Sequence, residues 1–227
     1  MPTIAENIAA VRARIETAAG RAGRSAADVQ LIAVSKTHPP EVVREAVAEG
    51  LTVFGESRIQ EAKAKIPELP GKLKWHFIGH LQTNKAREAV ELFHMVQSVD
   101  SVRLARELDQ CAGRASRTLA VLLECNVSGE STKFGFKPDE VMAALAELNS
   151  LRRLEIQGLM TMAPFFEDPQ DARPVFRALR ELRDRLQQQH GIPLPELSMG
   201  MTNDFEAAIE EGATMVRIGT AIFRPTS

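Results

Sequence analysis

Lys36 closes the run "LIAVSK" at residues 31–36, where an amine follows an apolar stretch. An ammonium loses its hydration when buried, so a lysine in that place either reaches water or has its amine put to use. A second chemical element lies far along the chain, in "SMGMTND" at residues 198–204. Its small residues let backbone amides approach a ligand, and Asn203 and Glu206 have the spacing of a helix-opening capping pair, which together suggest an anion cradle. Gly219 and Thr220 in "RIGT" add amide and hydroxyl donors. A lysine desolvated in a low-dielectric pocket keeps more free amine at neutral pH, and a free amine condenses with an aldehyde to a Schiff base. An amine set against an anion cradle points to a ligand carrying both a phosphate and an aldehyde.

The elements that must position these groups read clearly from periodicity. Ile4, Ile8, Val11 and Ile15 share one face of a helix that stops near Gly20. From residue 31 onward short apolar strands alternate with amphipathic helices, the strands being "LIAVSK", "TVFGE", "KWHFIG", "MVQSV", "LAVLLECNV", "LEIQGLM", "ELSMG" and "MVRIG". Pro40 suits a first helical turn and Gly50 a stop, and Val175, Leu179, Leu182 and Leu186 share a helical face. Eight βα units with near-continuous apolar strands predict a parallel sheet closed into a barrel, a TIM-type (β/α)8 α/β fold with one extra N-terminal helix, in a single domain over 1–227. A loop excursion is expected in "APFFEDPQDARP", before the sixth barrel helix. The alternative, an open doubly wound sheet, lacks the GxGxxG fingerprint after its first strand.

In such a barrel chemistry sits at the carboxyl ends of the strands. That rule gathers Lys36 after strand one, Glu56 and Ser57 after strand two, and His80 and Gln82 after strand three. Asn126, Ser128 and Lys133 follow strand five, Met160 and Thr161 close strand six, and the 198–204 and 217–220 segments close the last two, with the phosphate across the rim from Lys36. Pyridoxal 5′-phosphate (PLP) and the phosphosugar of a Schiff-base aldolase both fit an amine plus a phosphate grip. A pyridine ring wants a flat slot and a partner for its nitrogen, which Arg217 could supply; a phosphosugar wants many carboxylates.

Composition narrows the partners. Net charge is −2, with 28 basic residues spread among 30 acidic ones, so no basic stripe addresses nucleic acid. Cys111 and Cys125 have no metal-ligand spacing and make no disulfide framework, as expected in a reducing cytosol. No apolar stretch reaches the roughly 18 residues of a membrane span, and the first 20 residues do not read as a signal peptide. A soluble, cytoplasmic protein is expected.

The strings "AVSKTHPPE", "FGESRIQE", "WHFIGHLQTNK", "SVDS", "NVSGESTKFG", "GLMTM" and "LSMGMTNDFEAAIEEGATMVRIGTAIF" together resemble the YggS/PROSC family of pyridoxal phosphate homeostasis proteins, over almost the whole chain. The resemblance implies a barrel related to the N-terminal domain of alanine racemase, with PLP held as a Schiff base on Lys36. It implies Ser198, Met199, Gly200, Thr202, Gly219 and Thr220 around the phosphate and Arg217 facing the pyridine nitrogen, with Ser57, His80 and Met160 also at the cofactor. The function implied is PLP binding and delivery in vitamin B6 homeostasis, without established catalysis. Three positions depart from the family pattern: Ser57 where Asn is usual, Thr202 where Ser is commoner, and Arg224 where Gly is usual.

An enzymatic alternative, a PLP-dependent racemase or decarboxylase, is poorly equipped. The chain contains no tyrosine, the residue that racemases of this fold pair with their lysine, and a cationic Arg217 at the ring nitrogen weakens the ring as an electron sink. Read singly, several features are ordinary: Arg217 as a barrel ion pair with Glu56 or Asp204, His38, His76 and His80 as core or rim histidines rather than metal ligands, and the arginines at 173, 177, 180, 183 and 185 as a solvated helix face. The sequence leaves open a second holding lysine at Lys63, Lys133 or Lys137. A monomer is expected, with PLP-dependent apo-enzymes as recipients.

Overall fold

The computed structural model describes residues 2–130 and 133–223. Eight parallel strands close on themselves in sequence order. They are β1 (Gln30–Val34), β2 (Val53–Glu56), β3 (Lys74–Phe77), β4 (Met95–Val99), β5 (Leu119–Glu124), β6 (Leu154–Met160), β7 (Glu196–Met201) and β8 (Met215–Ile218). All eight expected strands are present, and β8 pairs back onto β1 with Ala33 opposite Ile218. The helices are α1 (Ile4–Arg21), α2 (Pro40–Ala48), α3 (Ile59–Lys65), α4 (Ala86–Leu92), α5 (Val102–Arg114), α6 (Pro138–Asn149), α7 (Arg173–His190), α8 (Phe205–Glu210) and α9 (Thr220–Phe223).

The extra helix α1 opens with a capping box, in which the Thr3 hydroxyl accepts from the Glu6 N–H and the Glu6 carboxylate accepts from the Thr3 N–H. Its buried face, Ile8, Val11 and Ile15, is the one the spacing predicts. In α7, Val175, Leu179, Leu182 and Leu186 are all buried. The arginines of α7 depart from expectation, because Arg173, Arg177 and Arg180 form ion pairs with Glu210 and Glu211 at the end of α8 rather than simply facing water.

The pleat sorts side chains into two cores. Ile32, Val53, Met95, Leu122, Met160 and Met215 fill the barrel interior, while residues of opposite parity pack outward against the helices. Each fully buried aliphatic side chain contributes about 2 kcal/mol by leaving water. Two residues further along the same strands, the inward positions turn polar: Gln97 on β4, Glu124 on β5 and Arg217 on β8. That change marks where the packed core ends and the mouth begins.

Candidate functional site

β1 ends at Val34, and the chain turns sharply. The Ser35 N–H still donates to the Gly55 carbonyl at 3.1 Å, and the His38 N–H returns to the Ser35 carbonyl at 3.1 Å, so Lys36 and Thr37 form the tip of a tight turn. Lys36 is exposed, and its ammonium has no hydrogen-bond or ion-pair partner among the described residues. The enclosed, low-dielectric setting expected of this amine is therefore not what the protein alone provides. The side chain starts beyond the last ladder bond of β1, at Ser35.

The segments read as an anion cradle lie on the strands next to Lys36 rather than across the rim. Closure of the barrel sets β8 beside β1, about 5 Å away in the hydrogen-bonding direction, and β7 one strand further. The Thr202, Asn203, Gly219 and Thr220 N–H groups make no hydrogen bond among the described residues. For Thr220 this is the ordinary condition of a first helical turn. Gly200 has φ +91°, and a Cβ there would lie 2.6 Å from Ala208 Cβ and 2.8 Å from Phe205 Cα, so only glycine lets the loop lie this close to α8. The expected capping pair does not form. Asp204 occupies the cap position and accepts from the Met201 N–H at 2.6 Å, while Asn203 donates to the Phe166 carbonyl and Glu206 pairs with Arg14.

Below the mouth runs a buried polar chain. Arg217 Nη1 donates to Ser198 Oγ at 2.6 Å and Nη2 to the Thr161 carbonyl at 2.9 Å. Ser198 Oγ donates to Gln97 Oε1 at 2.7 Å, and Gln97 Nε2 stands 3.0 Å from His76 Nδ1. Burial lowers Arg217 to about 10 against the pull of Glu124 and Asp204, so it stays cationic at neutral pH. It reaches neither carboxylate as an ion pair, and Glu56 faces away, toward α3. Burial, with the neighbouring Asp100, raises Glu124 to about 7, and burial lowers His76 to about 4, which keeps the imidazole neutral.

These contacts decide what the β7 residues can offer a ligand. The Ser198 hydroxyl is already engaged inside the barrel, and Met199 packs in the outer core, so both could meet a phosphate only through backbone. Met160 forms part of the inner core. His80 is drawn to the other side of the mouth, where its ring stacks on Phe134 at 3.8 Å and Nδ1 lies 3.2 Å from Asp100. It lines an open groove of about 1250 Å³ with Asp100, Arg103, Lys133 and Phe134. Ser57 follows β2, the strand on the other side of β1, and Gly79 packs so closely over it that a Cβ would overlap the Ser57 carbonyl.

The family model for the alanine racemase N-terminal domain matches residues 7–226. A pyridoxal phosphate homeostasis protein of Aquifex aeolicus is 46% identical over 219 residues, 96% of each chain. The chain belongs to this family. The PipY structure of Synechococcus elongatus with PLP bound is 41% identical and superposes with a TM-score of 0.85 over 97% of this chain and 100% of that one. An alanine racemase of Clostridium difficile, 17% identical with a TM-score of 0.72, shares the fold over 88% of this chain and 53% of its own.

Among the positions where this homeostasis-family chain departs from the pattern, Thr202 is half-buried and its hydroxyl accepts weakly from the Ala221 N–H at 3.4 Å, while Arg224 lies outside the described residues. Of the three lysines considered as second holding sites, Lys63 and Lys137 are exposed, and Lys133 donates to the Met162 carbonyl and Glu130, each at 3.0 Å. Among the described residues no group of three His, Cys, Asp or Glu side chains could hold a metal, and no helix is long and apolar enough to cross a membrane. Sequence reasoning missed Glu124, Gln97 and the buried Lys65. Glu124 and Gln97 carry a readable signal, a polar residue at an inward position of an otherwise apolar strand. Lys65 carries none, since a lysine in the last turn of a helix is commonplace.

Proposed function

We propose that this chain binds PLP at the carboxyl end of the barrel, held covalently by Lys36, and acts as a carrier and homeostasis factor rather than as a catalyst. The observation that carries the reading is the juxtaposition of Lys36 with backbone N–H groups on the adjacent β7 and β8 loops, neither of which has a partner among the described residues. This donor set fits the two ends of PLP. When bound, PLP supplies an aldehyde that condenses with the Lys36 amine, forming a C=N bond and releasing one water.

The remaining roles belong to the chain. Gly219, Thr220, Gly200 and Thr202, with the Ser198 and Met199 backbone, hold the phosphate, and the hydroxyls of Thr202 and Thr220 supplement the amides. Arg217, fixed by Ser198 and the Thr161 carbonyl, presents a cation to the ring nitrogen and discourages its protonation. Met160, in the inner core, would lie beneath the ring and Ser57, after β2, beside it, whereas His80 is engaged by Asp100 and Phe134 on the other side of the mouth. The printed names of the relatives and the PLP in the PipY structure support this reading. It extends to one domain over residues 1–227, a cytoplasmic monomer, and PLP-dependent apo-enzymes as recipients.

Purified protein is expected to be yellow, and Lys36→Ala colourless with an unchanged unfolding transition. The chromophore should pass to an added apo-enzyme. Incubation with a panel of amino acids, followed by chiral analysis, should leave every amino acid unaltered; inverted or decarboxylated products would replace the carrier by a racemase or decarboxylase.

A further inference from the structure

The turn that carries Lys36 is held by a helix to which no role has been assigned. Thr37, at its tip, has φ +67°, a left-handed conformation that a β-branched residue resists. Such a conformation persists only when its surroundings enforce it, and α3 supplies the restraints. Glu61 Oε2 accepts from the Thr37 N–H at 3.0 Å, and Lys65 Nζ donates to the Ser35 carbonyl at 2.7 Å. Lys65 is nearly fully buried, its charge matched by Glu56 Oε1 at 2.6 Å. The same carboxylate oxygen accepts from Ser35 Oγ at 2.7 Å, while Glu56 Oε2, also buried, has no partner. A buried ammonium aimed at one backbone carbonyl is a costly way to end a strand, since water or a helix-packing methyl would serve stability as well. The residue it holds is the one immediately before Lys36.

We propose that Lys65 and Glu61 are positioning residues for Lys36: from α3 they clamp the backbone on both sides of the lysine, at residues 35 and 37, and so fix the place of its Cα. The inference rests on the reading of Lys36 as the PLP-holding residue. Small displacements of a reacting group cost large factors in rate, so loosening the clamp should slow C=N formation far more than it disturbs the fold or the phosphate cradle.

The test uses PLP-free full-length protein and the rate at which the absorbance of the C=N chromophore rises after PLP is added. The variants are Glu61→Ala, Glu61→Gln, the charge-free pair Glu56→Gln with Lys65→Met, and Lys36→Ala. Glu61→Ala and the double variant should load at least tenfold more slowly than the parent, with inorganic phosphate competing as well as before and the unfolding midpoint of Glu61→Ala little changed. Glu61→Gln, which keeps an oxygen for the Thr37 N–H, should recover most of the rate. Parental loading by Glu61→Ala overturns the proposal, as does a loss of phosphate competition in step with the rate. Should the double variant not fold, Glu61→Ala decides alone, because its side chain is partly exposed and its removal leaves no buried charge. A chromophore persisting in Lys36→Ala would instead refute the underlying assignment of Lys36, and so separates the two failures.

Discussion

Two lysines near the end of β1 divide the work of being charged. Lys36 is exposed and has no partner among the described residues, whereas Lys65 is buried against Glu56, and removing one member of that pair alone would strand the other at a cost of about 3–5 kcal/mol. Glu124 shows the price of burial without a close partner. Its folded-state value, raised from the ordinary 4.5 to about 7 by burial and Asp100, means that the protonated form is the one the fold prefers. Stability from this group is fully present below pH 4.5 and is lost as pH rises through 7, by up to about 3 kcal/mol. His76 runs the other way: lowered from 6.5 to about 4, it withdraws stability as pH falls through that interval. Denaturant unfolding of PLP-free protein at pH 5 and pH 8 should therefore show Glu124→Gln gaining on the parent at the higher pH, whereas parallel profiles would mean that Glu124 is ionised without penalty.

At the scale of elements, the strands bring the site together because their ends are pinned by close backbone approaches. Gly158 on β6 follows an irregularity in the β5–β6 register, and a Cβ there would overlap the Glu196 carbonyl at the start of β7. Since the obstacle is backbone, Gly158→Ala should destabilise the protein by about 3 kcal/mol or more, read as a fall in the thermal unfolding midpoint; an unchanged midpoint would show that β6 and β7 can move apart freely. Elements were the most legible part of the sequence. Short near-continuous apolar runs give every strand, and the 3.6-residue period gives the buried faces of α1 and α7, because both record only which surfaces of an element meet the core. The capping pair at Asn203 and Glu206 was misread for the complementary reason: the spacing is local, but Glu206 is claimed by Arg14 on α1 and Asn203 by the Phe166 carbonyl, partners distant in sequence.

For the whole molecule, barrel closure is what makes the site. It places the first strand beside the last, so that the loops following β1 and β8 leave the barrel from adjacent strands although they are far apart in the chain. The fold class and the strand ends that form the mouth were readable from strand order alone, but closure also reversed one expectation, since the β7 and β8 loops proposed to hold the phosphate lie beside the end of β1 rather than opposite it. What the sequence concealed was the direction of individual side chains: Ser198 turned down to Gln97, His80 drawn to Asp100 and Phe134, and Lys65 folded under the Lys36 turn. Each depends on a loop or on a neighbour two elements away, which no single strand pattern encodes. The most direct test of the account is to reduce the PLP-loaded protein with borohydride, digest it and map the pyridoxyl group by mass spectrometry. The account predicts a stoichiometric adduct on the peptide containing Lys36; a principal adduct on Lys63, Lys65, Lys133 or Lys137, or no adduct at all, would contradict it.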